Sequence, residues 1–187
     1  MSLRIYGNRQ LKTLLGLETR PTPARVREAV FNIWQGEIAG CRWLDLCAGA
    51  GAMSAEALCR GAAEVVAIEK SDRACRVIRE NLQKIVGSAQ SFYLLRGDVV
   101  QKLKTLAGRQ FDRIYFDPPY ASDLYKPVLE ALAHYRLLAE GGELAVEHSP
   151  YRLPIEGLPE LQICRQKVYG NTALTFYQVA FEPGLRD

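Results

Sequence analysis

The sequence predicts an α/β fold, a doubly wound and mostly parallel sheet of seven strands that ends in an antiparallel C-terminal hairpin. Three observations predict it. Short runs rich in Val, Ile, Leu and Phe at 42–47, 64–69, 91–96, 112–117 and 143–147 alternate with helical patterns at 52–60, 72–86, 99–107 and 123–138. That alternation marks βαβ units whose parallel strands are covered on both faces. The turn after the first of these strands carries Gly49 and Gly51, where such sheets bind ligands. The tail breaks the alternation: Leu161–Val168 and Leu174–Phe181 flank Tyr169-Gly170-Asn171, the pattern of a hairpin.

A length of 187 residues suits one domain, 1–187, able to bury a core without staples, and 48% hydrophobic with 24% charged residues is ordinary for a globular protein. No apolar run approaches the ~20 residues needed to cross a bilayer, and the start lacks a secretory h-region. Five cysteines, an odd number without a CxxC, argue against a disulfide framework and a zinc site and for a cytoplasmic location. Two histidines, His134 and His148, are too few for a histidine-rich metal centre, so no metal is expected.

Charge is uneven along the chain. Residues 1–27 hold Arg4, Arg9, Lys12, Arg20, Arg25 and Arg27 against Glu18, a balance of +5, while the other 160 residues carry 18 basic and 20 acidic side chains. A basic arm over residues 1–40 on a slightly acidic body predicts a polyanionic partner, and these six cations are the candidate nucleic-acid contacts. Within the arm, Thr22-Pro23 reads as an N-cap followed by proline at the first helical position. Val26, Ala29, Val30, Ile33 and Trp34 then recur at helical spacing, which predicts an amphipathic helix over 23–35 with Arg25, Arg27 and Glu28 on its polar face. Further on, Ser71 or Asp72 caps the helix over 72–86, and Gly141-Gly142 ends the helix over 123–138.

Candidate ligand-binding residues sit at the carboxyl ends of the strands. Gly49 and Gly51 permit a tight turn and close approach of a ligand to the backbone beside a helix N-terminus. Glu69 ends the second strand, where a carboxylate can accept from both ribose hydroxyls, and Asp98 follows the third, placed to accept from an adenine amino group. Each acid also reads as a helix cap or a solvated loop residue. Together they suit an adenosine ligand, either NAD or S-adenosylmethionine. Ser54 in place of the third glycine of a dinucleotide fingerprint, and the lack of an evident hydride relay, count against NAD.

The fourth strand runs into Asp117-Pro118-Pro119-Tyr120. The two prolines fix φ and lack N–H groups, so the segment is stiff and its carbonyls have few local partners. A carboxylate and a proline carbonyl can then accept both hydrogens of one planar NH2 group. Tyr120 offers a face to a base, a contact worth about 1–3 kcal/mol. This tetrapeptide favours S-adenosylmethionine as the cofactor and an amine as methyl acceptor.

With these residues in hand the chain resembles the class I, Rossmann-like methyltransferases, and within them the RsmD-type 16S rRNA guanine-N2 methyltransferases. The resemblance covers Arg20-Pro-Thr-x-x-Arg-Val-Arg-Glu28, Leu44-Asp-x-x-Ala-Gly-x-Gly-Ala52, Glu56-Ala-Leu-x-Arg-Gly-Ala62, Glu69, Asp98, Asp117-Pro-Pro-Tyr120 and Tyr169-Gly-x-Thr-Ala-Leu174. Its basic start, Arg4 to Lys12, is a compressed version of that family's pattern. The resemblance implies that Asp45, Gly49 and Gly51 flank the methionine part of S-adenosylmethionine, Glu69 its ribose and Asp98 its adenine. It also implies that Asp117 and the Pro118 carbonyl hold the guanine amino group with Tyr120 against the base. The implied substrate is ribosomal RNA in the small subunit or its precursor.

Two rival readings share these residues. One is an amino methyltransferase acting on adenine or on a protein glutamine, for which the pocket chemistry is nearly the same. The other is a non-catalytic RNA-binding assembly factor, which damage at Gly49, Gly51, Asp117 or Tyr120 would favour; none is damaged. Cys47 reads as a small filler of the turn, His148 as a strand-end residue and Glu56 as an i,i+4 partner of Arg60.

Overall fold

The computed structural model describes residues 2–14, 24–152 and 158–180. Its centre is a seven-stranded sheet formed by β3 (Arg42–Leu46), β4 (Glu64–Glu69), β5 (Ser91–Arg96), β6 (Phe111–Phe116), β7 (Leu138–His148), β8 (Leu161–Tyr169) and β9 (Thr172–Val179), in the order β5-β4-β3-β6-β7-β9-β8. Strands β3 to β7 pair in parallel, and β9 pairs antiparallel with both β7 and β8. The predicted doubly wound sheet with its C-terminal hairpin is therefore present. The chain crosses from one side of β3 to the other before β6, so the loops that follow these neighbouring strands open at the switch point of the sheet.

Two cores cover the faces of the sheet, as the uninterrupted apolar strands require. On one face, α1 (Ala24–Ile33), α2 (Ala52–Cys59) and α3 (Asp72–Gln83) contribute Val30, Phe31, Leu58, Ile78 and Leu82, packed with Trp34 and Trp43. On the other, α4 (Val99–Lys104) and α5 (Tyr125–His134) contribute Leu103, Val128, Leu129 and Leu132 against Phe111, Ile114 and Phe116. Ser71 caps α3 by accepting from the Ala74 amide, which decides between the two candidate caps.

The structure adds one element and corrects the end of one helix. The N-terminal stretch contains a hairpin, β1 (Ser2–Ile5) paired antiparallel with β2 (Arg9–Lys12), whose Ile5 and Leu11 join the core of α1 and α2. Helix α5 stops at His134, not at the glycine pair. Arg136, at φ +50°, takes the left-handed position after the helix, while the Leu137 and Arg136 amides bond back to Leu132 and Ala133. Gly141 and Gly142 instead lie inside the long β7, where the pairing with β6 is irregular; a Cβ on Gly142 would meet the Ala139 and Asp112 carbonyl oxygens at 2.8 and 3.0 Å. Arg20, the Thr22-Pro23 cap and Phe181 lie outside the described residues.

Candidate active site

The loop after β3 turns sharply because three of its residues occupy the left-handed region: Cys47 at φ +63°, Gly49 at +58° and Gly51 at +77°. Three side chains hold it. Glu69, at the end of β4, accepts from the Gly49 amide at 2.9 Å and from the Ser71 amide at 2.7 Å. Asn81 of α3 donates to the Ala50 carbonyl at 3.0 Å. Asp45, beneath the loop and 2% exposed, accepts from the amide and hydroxyl of Ser54 at 3.0 and 2.5 Å. Burial pushes its carboxyl up to about 6. Asp45 is thus turned toward the start of α2, and it shapes the loop from below.

The sequence-chosen acids converge on this loop. The Cys47 thiol is pushed up by burial first and then by the charges of Glu69, Asp117, Asp45 and Asp98, carboxylates borne near or just beyond the ends of four neighbouring strands. Asp98 also caps α4, accepting from the Gln101 amide at 3.1 Å. A Cβ built on Gly49 would meet nothing within 4 Å, so the loop presents bare backbone to open space there.

The Asp117-Pro118-Pro119-Tyr120 segment leaves β6 directly beside this loop, with the Asp117 amide bonded to the Leu46 carbonyl at 3.4 Å. The Pro119 carbonyl is occupied by the Ser122 amide at 2.8 Å. The Pro118 carbonyl accepts no hydrogen bond among the described residues. The Ser122 hydroxyl, buried in the same loop, also has no partner among the described residues.

Tyr120 is anchored by residues to which the sequence alone assigns no role. Its hydroxyl lies 2.8 Å from Glu147 and 2.8 Å from Thr172, and Tyr115 bonds to the other oxygen of the same carboxylate. A carboxylate only accepts, so both phenols donate to Glu147, and Thr172 must donate to the Tyr120 oxygen. Burial and the nearby charges of Glu147 and Asp117 push the Tyr120 phenol up, so it stays protonated. Its hydroxyl is spent on the wall of the site, leaving only the ring for a ligand. The alternation Tyr115, Asp117 with Glu147 ending the next strand was the available signal, and it is weak. His148 sits at the strand end between Ser149 and Thr175, with burial pushing its imidazole down.

The basic residues do not gather as expected. Arg27 is corrected outright: it is 2% exposed and lies on the buried side of α1, with its Nε donating to Glu56 at 2.7 Å and its Nη2 to the Arg4 carbonyl at 2.9 Å. Glu56 also takes the predicted bond from Arg60, at 2.8 Å. Arg9 points at the Cys59 sulfur, and Lys12 pairs with Glu80. Arg4 is exposed, and Arg25 is exposed with its guanidinium 5.9 Å from the centre of the Tyr169 ring. Among the described residues no group of three His, Cys, Asp or Glu could hold a metal, and no helix is long and apolar enough to cross a membrane.

Comparison with known proteins agrees with this geometry. A family model described as Conserved hypothetical protein 95 matches residues 3–178. The chain is 33% identical over 173 residues to the putative rRNA methyltransferase YlbH of Bacillus subtilis, covering 91% of this chain and 93% of that protein. It is 30% identical over 164 residues to ribosomal RNA small subunit methyltransferase D of Escherichia coli, covering 85% and 79%. Among solved structures, the putative methyltransferase yhhF of Escherichia coli superposes with a TM-score of 0.83 at 27% identity, covering 97% of this chain and all of the other.

Proposed function

We propose, on the premise that the chain belongs to the Conserved hypothetical protein 95 family of RsmD-type methyltransferases, that it methylates the N2 amine of a guanine in small-subunit ribosomal RNA with S-adenosylmethionine as donor. The observation that carries the reading is the junction of two motifs. An acceptor for both hydrogens of a planar amine, Asp117 with the unoccupied Pro118 carbonyl, is bonded through its backbone to the strand that feeds the glycine loop.

The loop fits the cofactor by its donor set. Carboxylates from Glu69, Asp98 and Asp117 with bare backbone at Gly49 suit ribose hydroxyls, an adenine amine and a cationic sulfonium. When bound, S-adenosylmethionine supplies an electrophilic methyl. Gly49 and Gly51 would lie along its amino-acid part, Glu69 at its ribose and Asp98 at its adenine.

The chain's own residues then do the rest. An aryl amine is a poor nucleophile because its lone pair is delocalised into the ring. Asp117 and the Pro118 carbonyl, accepting one hydrogen each, raise the electron density on nitrogen and fix the direction of its lone pair. Fixing that direction contributes through effective molarity, on the order of 7 kcal/mol in favourable cases. As nitrogen becomes positive, the Asp117 carboxylate stabilises it. Tyr120, with its hydroxyl tied back, holds the base by its ring. A paired base cannot reach such a pocket without leaving its stack, so the target is a looped or flipped nucleotide.

The test is transfer of labelled methyl to small subunits that lack the modification and to protein-free rRNA, with the product mapped to an atom. Label on guanine N2 supports the reading; label on adenine or on protein glutamine replaces it with the corresponding amino methyltransferase. Asp117→Ala should abolish transfer while cofactor binding survives, and loss of both together would refute the role given to Asp117.

A further inference from the structure

The tip of the β8–β9 hairpin borders the acceptor motif yet takes no part in the chemistry above. Tyr169 pairs with Thr172 across the turn, and Thr172 touches the Tyr120 hydroxyl, so the tip is one residue pair away from the motif. A bulge between Ile163 and Arg165 resets the alternation of β8. Before it, Leu161 packs in the core under α4 and α5. After it, Arg165, Lys167 and Tyr169 stand opposite Phe176, Leu174 and Thr172, on the face whose core includes α1.

Tyr169, at the end of this stripe, borders a groove of about 410 Å³ whose other walls, from α1, include Arg25, Glu28, Asn32 and Ile33. Arg165 is paired with Glu143 at 3.7 Å. Lys167 is exposed and meets no acid among the described residues. Lys167, two residues before Tyr169 on the same face of the strand, and Arg25, 5.9 Å from the Tyr169 ring centre, therefore flank an aromatic ring whose strand partner Thr172 touches Tyr120.

We propose that Lys167 and Tyr169 of the hairpin, with Arg25 of α1, hold the single-stranded RNA that flanks the target nucleotide. Lys167 and Arg25 take phosphates, and one unpaired base lies in the groove against the Tyr169 ring. The inference rests on rRNA being the substrate. Flipping a base into the Asp117 pocket leaves its neighbours unstacked, and an aromatic face between cations is the arrangement that grips such a strand. A protein partner would favour an apolar centre with a polar rim, whereas Arg25, Glu28 and Asn32 make this groove polar along α1. The hairpin thereby takes over much of the contact that the charge count assigned to the N-terminal arm.

The experiment uses the full chain with Lys167→Glu, Tyr169→Ala and, as a control on the opposite side of the sheet, Lys104→Glu. Each is measured for binding to protein-free small-subunit rRNA over a range of salt, for methyl transfer to subunits and for cofactor affinity. Lys167→Glu should weaken rRNA binding about tenfold and reduce the slope of log affinity against log salt by about 0.7, as loss of one single-strand phosphate contact requires. Tyr169→Ala should weaken binding by a similar factor with the salt slope intact. Cofactor affinity should be unchanged in both, and Lys104→Glu should match the wild type. Wild-type rRNA binding and salt slope in Lys167→Glu would overturn the inference. So would a defect seen only on subunits and absent on protein-free rRNA, which would assign the surface to a ribosomal protein. Failure of the wild type to label any rRNA would instead remove the functional reading itself.

Discussion

Replacing Arg27 should unfold this protein more readily without touching its RNA affinity. The Arg27 and Glu56 side chains are 3% and 2% exposed, and their charged hydrogen bond of 2.7 Å joins α1 to α2, while a second Arg27 bond reaches the β1 backbone at Arg4. Truncation to alanine strands Glu56 in the interior, and breaking a buried pair from one side costs about 3–5 kcal/mol. Arg60 remains on the other oxygen of Glu56 and is itself 21% exposed, so part of that charge stays compensated. The expected loss is therefore near the lower end, about 3 kcal/mol. For a chain of this size that corresponds to a fall in Tm of roughly 6–12 °C. Urea unfolding of Arg27→Ala, Glu56→Gln and the double variant reads it directly. The double variant should lose less than the sum of the singles, because the stranded charge is then gone. A loss below about 1 kcal/mol, or weakened RNA binding by a fully folded Arg27→Ala, would refute the argument.

Other predictions concern the site. Asp45 has its carboxyl raised from 3.8 to about 6 by burial, so the native state keeps a proton that the unfolded chain releases. Its contribution is fully present below pH 4 and declines by about 3 kcal/mol as pH rises to 6; the difference in unfolding free energy between wild type and Asp45→Asn across pH 4–7 should show that slope. Gly51→Ala places a Cβ at φ +77° and 3.2 Å from Ile78, which should cost about 1–2 kcal/mol of stability and weaken cofactor binding in calorimetry. Tyr120→Phe keeps the ring but unties it from Glu147 and Thr172. Methyl transfer should fall severalfold at unchanged cofactor affinity, and an unaltered kcat would show that the tether is unimportant.

The parallel strands and their glycine loop were legible because apolar runs and alternation report directly on burial. Helix ends show where legibility stops. The chain leaves α2 through Gly61 at φ +96°, with the Ala62 and Gly61 amides bonding back to Ala57 and Leu58, and leaves α5 by the same pattern of bonds through Arg136. Glycine advertises the left-handed position; arginine there is invisible, so the sequence carries the helix on to 138 and assigns its end to Gly141-Gly142. The tripeptide Tyr-Gly-Asn occurs twice, at 6–8 and at 169–171. Longer strands mark the second as a hairpin turn, while the charged, four-residue strands around the first conceal an equivalent role. Arg27 was misplaced for a related reason, since a buried cation looks like a surface one until its partner, 29 residues away, is seen. Glu147 escaped notice, and Thr172 stood in a quoted motif without a role, because their meaning depends on three strands and a loop converging.

Cys47 has one further consequence. A sulfur nucleophile beside a methyl sulfonium would be the natural victim of such an enzyme, since thiolates outcompete aryl amines for alkyl groups. Only the thiolate reacts in this way, and burial together with the four carboxylates holds Cys47 protonated. Burial first, with the neighbouring carboxylates adding to it, thus keeps a small, unreactive side chain at the one non-glycine position of the loop with φ near +60°.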